Sequence, residues 1–309
     1  MAYRYQSFKV FSTRDNLQLD GLACIPEKIV GVIQIAHGMS EVKERYKLFM
    51  AYMADKGYLC VIHDHRGHGE SVKSDDDMGY FYDGGYEIMV EDIHSVMGMV
   101  KARISPELPY ILMGHSMGAL ASRVFMKKYD FMVDMLILLG NPSKPFMTEI
   151  GIHLAKAMGR LKGPKAHSKL LDNITINSPY ESKFKDEGIR FAWMTSDLEV
   201  VKEFNAHPKC GFTFTISGYE QLARLTKEAY SKEGWQLRNP EVPILIASGK
   251  EDPCHLGPRN FGKSVHHLKD VGYENIQARL YGKMRHELLN EKDKTRVYKD
   301  IYKFISDNV

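Results

Sequence analysis

The chain has 309 residues, 44% of them hydrophobic and 26% charged, enough apolar material for a large core with or without a smaller domain, and this excludes intrinsic disorder. Its formal net charge is only +3 and no stretch gathers the basic residues into a stripe, so no nucleic-acid partner is expected. Cys24, Cys60, Cys210 and Cys254 lie far apart without a C-x-x-C pair, the usage of reduced intracellular thiols. Met1-Ala-Tyr-Arg-Tyr-Gln shows no cationic stretch leading into an apolar one, and the longest apolar runs fall far short of the ~20 residues of a spanning helix. A cytoplasmic protein without stable membrane insertion is expected.

Residues 8–13 and 17–25 alternate as two strands around Arg14-Asp15-Asn16, which predicts an antiparallel opening. Short apolar runs then alternate with amphipathic helices, as a parallel sheet covered on both faces requires. Residues 30–36 read as a buried strand, and Tyr46, Phe49, Met50 and Met53 follow at helical spacing before a stop at Gly57 and a strand over 58–62. Met89, Ile93, Val96, Met97 and Val100 form a second helical stripe, followed by a strand over 110–113 and a helix marked by Leu120, Val124 and Phe125. Strands recur at 135–139, 244–247 and 276–281, and Val297, Ile301, Phe304 and Ile305 close the chain as a helix. This is a doubly wound α/β sheet.

Between the strands at 135–139 and 244–247 lies a stretch far longer than the ~2–6 residues that ordinarily connect such units. Residues 1–140 and 241–309 are therefore read as the core, and 141–240 as an inserted, mainly helical cap. Within it, Ile150, Leu154, Met158 and Leu161 share one helix face, with Lys156, Arg160 and Lys162 largely off it.

The strongest chemical signal is Gly114-His115-Ser116-Met117-Gly118, set between an apolar strand and a helix. The glycines allow the sharp turn that presents the Ser116 hydroxyl above the sheet edge. The Met117 N–H, in the first turn of that helix, has no intrahelical acceptor and is a candidate oxyanion donor. His37-Gly38-Met39 follows another strand and makes the Met39 N–H the natural second donor, with His37 bracing the loop at the edge of the substrate site.

A serine nucleophile needs a base, and the base needs an orienting acid. Asp252, in Gly249-Lys250-Glu251-Asp252-Pro253, follows a buried strand, and His286 follows the last one. Glu251 competes with Asp252 at this stage, and His286 competes with a plain surface histidine. His63-Asp64-His65-Arg66-Gly67-His68-Gly69 suggests a different chemistry, a metallohydrolase with zinc on His63, His65 and His68. The other reading of this run is structural: Asp64 and Arg66 as a charged pair and two glycines shaping a tight turn.

His37-Gly38-Met39-Ser40-Glu41, Asp64 through Ser71, the Ser116 motif, Asp252-Pro253 and His286 together resemble the monoacylglycerol lipase and lysophospholipase branch of the α/β-hydrolase superfamily, and also its serine aminopeptidase group. Where many members carry a histidine after Glu41, this chain has Val42. The resemblance covers the core and implies the α/β-hydrolase fold. It implies a cofactor-independent serine hydrolase of small lipid-like esters, with Ser116 as nucleophile, His286 as base, Asp252 as its partner, and the Met39 and Met117 amides as oxyanion hole. Met147, Leu154, Met158 and Trp193 are candidates for the acyl site in the cap, and the basic helix around Lys156 and Arg160 is a candidate for transient contact with a lipid surface. Acyl transfer, aminopeptidase action and non-catalytic ligand binding stay open on the same fold.

Overall fold

The computed structural model describes residues 3–309. β1 (Tyr3–Phe11) and β2 (Gln18–Pro26) pair antiparallel, and β2 runs antiparallel to β4 (Tyr58–His63). The remaining strands, β3 (Gly31–Ala36), β5 (Tyr110–His115), β6 (Met135–Leu139), β7 (Ile244–Gly249) and β8 (Ile276–Tyr281), join β4 in parallel register, in the order β1-β2-β4-β3-β5-β6-β7-β8. The central strands are near-continuous apolar runs because helices cover both faces. Side chains of α1 (Lys47–Ala54) and α10 (Lys294–Ser306) pack on one face, and those of α2 (Gly85–Lys101), α3 (Met117–Tyr129) and α9 (Pro258–Asp270) on the other.

The strand order reverses at β3, with β4 on one side and β5 on the other, and such a switch leaves a crevice beyond the carboxyl ends of the strands. The chain emerges from β3 into His37 and from β5 into Ser116, both at this edge.

The stretch between β6 and β7 adds no strand to the sheet. It carries α4 (Thr148–Lys162), α5 (Lys169–Asp172), α6 (Ser178–Tyr180), α7 (Leu198–Ala206) and α8 (Ile216–Ala229). α8 reaches down to the sheet layer: its Tyr219, Leu225 and Ala229 are buried in the same cluster as Leu120 and Phe125 of α3, a cluster that also takes Ala155 of α4 and Leu171 of α5. The face expected to bury on α4 does so only in part. Ile152 and Ala155 are buried, whereas Ile150 is 57% and Leu161 87% exposed. The apolar stripe read from the sequence is therefore split: its two ends, Ile150 and Leu161, are exposed, while Leu154 and Met158 are half-buried against the core cluster. Among the described residues no helix is long and apolar enough to cross a membrane, and all four cysteines are free and buried.

The strand-to-helix turn at the sheet edge depends on Gly118, because a Cβ there would be driven into the carbonyl of Ala36 at the end of β3. Replacing it by alanine is expected to cost about 3 kcal/mol, typical of overpacking a rigid backbone crossing. The measurement is the urea unfolding midpoint of Gly118→Ala, and an unchanged midpoint would contradict it.

Candidate active site

Ser116 stands between β5 and α3 with φ 54° and ψ −117°. A non-glycine residue held there costs of order 1–3 kcal/mol and persists only when its surroundings fix it. They do: the Ser116 N–H donates to Leu139 O at 3.0 Å, and its carbonyl accepts from the amides of Ala119 and Leu120 at 2.9 and 3.2 Å. The residue is half-buried, so its hydroxyl faces open space above the sheet edge.

Asp252 and His286 arrive from the ends of β7 and β8. The His286 Nδ1 lies 3.0 Å from Asp252 Oδ2, and both residues are buried. Asp252 also accepts from the Ser248 hydroxyl at 2.6 Å and from the Cys254 N–H at 2.8 Å, which fixes its carboxylate before any ligand arrives. Burial pushes the Asp252 carboxyl up, but the facing His286 and these hydrogen bonds outweigh it and bring it to about 2. Burial likewise opposes charge on His286, and the Asp252 carboxylate overcomes it, raising the imidazole well above 6.5. Glu251, the competing carboxylate, is exposed. The imidazole is flanked by Trp193 and His115, with ring centroids 5.1 and 4.9 Å away.

The loop after β3 is held by buried charges. Glu41 accepts from the Gly38 N–H at 2.5 Å, from Tyr46 Oη at 2.9 Å and from Arg45 at 2.6 Å. The Arg45 guanidinium also forms a fork to both carboxylate oxygens of Glu287, at 2.7 and 2.5 Å. Burial works against the Glu41 carboxylate, yet Arg45 outweighs it and holds it ionised far below the usual range. Ser40, at φ 53°, accepts from the Gly211 N–H and donates its hydroxyl to Phe212 O at 2.7 Å, clipping the loop to the segment between β6 and β7. Val42 is buried against that segment too, in a small cluster with Trp193 and Phe204.

Ser116 and His286 open onto one cavity of about 550 Å³. Met39 and Met117 border it, and neither amide has a protein acceptor among the described residues. Met147, Leu154 and Trp193 line its walls, together with Phe191 and Phe212, whose apolar character also made them candidates, and Phe204, which the sequence did not single out.

Two expected lining residues lie elsewhere. Met158, one turn beyond Leu154, has rotated off the cavity and packs on the core cluster. His37 is fully buried behind the loop, its Nδ1 on Gly38 O and its Nε2 accepting from the His65 N–H, both at 2.8 Å, so it braces the loop and does not border the cavity.

The His63, His65 and His68 set does not converge on a point. Among the described residues, the one group of three donors within mutual reach of a metal is Asp252, Cys254 and His286. The three histidines are instead buried aromatic rings: His65 and His68 pack against His37, and His63 meets His65 edge to face. Asp64 and Arg66 do not pair with each other: Asp64 accepts from the Lys43 amide and ammonium, while Arg66 is bound to Asp92 and Asp15.

Residues 27–293 match the family described as serine aminopeptidase, S33. The chain belongs to the serine aminopeptidase S33 family. A monoacylglycerol lipase of Mycolicibacterium smegmatis is 23% identical over 284 residues, spanning 89% of this chain and 88% of that protein. Phospholipase YtpA of Bacillus subtilis is 23% identical over 273 residues, 88% of this chain and 94% of that one. Among solved structures, a thermostable carboxyl esterase from Bacillus coagulans in complex with glycerol superposes with a TM-score of 0.88 at 24% identity, over 100% of both chains. The fold is the α/β-hydrolase fold that the sequence implied.

Arg45, Glu287 and Cys254 are the site residues that sequence reasoning missed. Arg45 lies four residues after Glu41, a helical spacing that hints at their pair, but nothing local announces Glu287, 242 residues away.

The buried histidines have a consequence for stability. Burial holds His63 at about 3, His68 at about 4, and His37 and His65 well below 6.5. The unfolded chain takes up these protons near 6.5 and the folded chain does not, so stability present above that pH is lost as pH falls. His286, raised, carries its proton in both states below about 6.5 and so compensates none of these rings there. Each uncompensated ring contributes a slope of about 1.4 kcal/mol per pH unit. Urea unfolding from about pH 7 to 5 should show this steep loss, softened in His63→Phe; a flat profile would contradict it.

Proposed function

We propose that the protein hydrolyses carboxylic esters of small single-chain lipids, monoacylglycerol-like or lysophospholipid-like, through Ser116, His286 and Asp252. The observation that carries this reading is the shared cavity: Ser116, His286, Met39 and Met117 border one apolar-walled space. An acyl chain fits such walls, and the ester carbonyl then lies at the serine.

Ser116 Oγ attacks the carbonyl carbon while His286 Nε2 takes its proton. Asp252 fixes the imidazole with its proton on Nδ1 and stabilises the imidazolium. The Met39 and Met117 amides donate to the developing oxyanion. His286 returns the proton to the departing alcohol, and water activated on the same nitrogen then releases the fatty acid. The segment 141–240 acts as a cap that walls this space and sets chain preference. The relatives named as a monoacylglycerol lipase and a phospholipase support the substrate class, and the buried free thiols support a reducing, cytoplasmic setting.

The family description raises aminopeptidase action on the same residues. That reaction needs a free carboxylate for the substrate ammonium. The carboxylates bordering the cavity are engaged: Glu41 and Glu287 by Arg45, and Asp172 by Tyr219 and Arg190. Ester hydrolysis is favoured for that reason.

Ser116→Ala is expected to lower kcat by ~10⁶ and Asp252→Asn by ~10⁴, the losses seen when such triads are broken. Steady-state assays on esters of graded chain length read this, and near-normal turnover in Ser116→Ala would refute the mechanism. A protonated His286 cannot accept the serine proton, and its affinity for that proton is raised above 6.5. The rate should therefore climb with pH through a midpoint above that value. A rate already maximal near pH 5 would count against His286 as the base.

A further inference from the structure

The triad pair has a third neighbour with no part in ester hydrolysis. Cys254 follows Asp252 by two residues, and the turn Pro253–His255, capped by the Asp252 carboxylate on the Cys254 N–H, folds its thiol back beside the imidazole. One ligand atom from each of Asp252, Cys254 and His286 lies within 4.8 Å of the others, and all three residues are buried. Cys254 and His286 both border the cavity, so a small ion has a route to the site.

Thiolate, imidazole and carboxylate together are zinc ligands, and calcium or magnesium would want more oxygens than are present. A tetrahedral zinc shell sets such donors about 3.3–3.5 Å apart, within a modest side-chain adjustment of what is found. Water from the cavity can take the fourth position.

We propose that Asp252, His286 and Cys254 form an inhibitory site for a thiophilic divalent cation, zinc above all. Binding follows from the donor set alone, and the inhibition rests on the Ser116–His286–Asp252 reading. Because Nδ1 faces Asp252, it is the nitrogen that meets the metal. A neutral imidazole carries one proton, so coordination at Nδ1 moves that proton to Nε2, the atom that must accept from Ser116. The Cys254 thiol proton leaves to solvent, and Asp252 turns from orienting the base to ligating the ion. The cation thus switches off the base without touching the nucleophile.

Two readouts test this on the full chain. Cobalt(II), a spectroscopic stand-in for zinc, should give a thiolate-to-metal charge-transfer band in the near ultraviolet, retained in Ser116→Ala and lost in Cys254→Ala. That retention separates metal binding from the catalytic reading. Zinc should inhibit ester turnover reversibly, with activity restored by a chelator. The half-inhibitory concentration, taken relative to each variant's own metal-free rate, should rise by at least about tenfold in Cys254→Ala and Cys254→Ser, the scale of one lost ligand. No cobalt–thiolate band in the folded wild type, or zinc inhibition equal in the Cys254 variants, overturns the proposal.

Discussion

One guanidinium, its side chain only 12% exposed, holds the loops of the site in register. Arg45 leaves solvent only because two carboxylates meet it: Glu41, whose other oxygen takes the Gly38 N–H, and Glu287, next to His286 in the chain. Its flat face lies 4.8 Å from the centre of the Phe204 ring on α7. Three separate parts of the chain, the loop after β3, the loop after β8 and the segment between β6 and β7, are tied at one point. Desolvating these charges is costly, and removing one partner typically costs about 3–5 kcal/mol because the rest stay buried and unpaired. That cost keeps the amide of the β3 loop and the imidazole fixed before substrate arrives, and such preorganisation is what electrostatic catalysis requires.

The scaffold beneath supplies the rest of the rigidity. Gly118 lets α3 pass against the end of β3, and the strained Ser116 backbone is held between Leu139 and the first turn of α3. Gly140 is needed for a related reason: at φ 53° it sits against His286, where a Cβ would collide with the His286 carbonyl and crowd its ring. The buried histidines pack as neutral aromatic plates behind the loop. At the carboxyl edge of the sheet, strain at Ser116, charge at Glu41 and Glu287 and the buried histidines come together.

Much of this was legible in the sequence wherever the signal is local. The runs at Met135–Leu139 and Ile276–Tyr281 are the observed β6 and β8, residue for residue; β6 is a continuous buried apolar pattern, whereas β8 is a half-exposed edge strand that carries Gln277 and Arg279. The glycines around Ser116 announce the turn because nothing larger fits. The spacing alone leaves Asp252 and Glu251 in competition; the resemblance favours Asp252, and in three dimensions it is the one buried against His286 while Glu251 is exposed. What stayed hidden was long-range or inverted. The apolar stripe of α4 predicts burial, yet a helix that borders a cavity turns part of that stripe toward open space, leaving Ile150 and Leu161 exposed and Met158 on the core. The acidic and basic residues of the Asp64 motif are adjacent in sequence, but each finds its partner on another element, Lys43 and Asp92. Arg45 and Glu287 leave no local trace of their pairing.

The most direct measurement of whether Ser116 is an activated nucleophile is the intact mass and peptide map of the protein after exposure to a fluorophosphonate probe, with Ser116→Ala in parallel. One adduct, on the peptide carrying Ser116 and absent from the alanine variant, is the predicted result. A folded protein that takes up no probe, or takes it up on another residue, would contradict it.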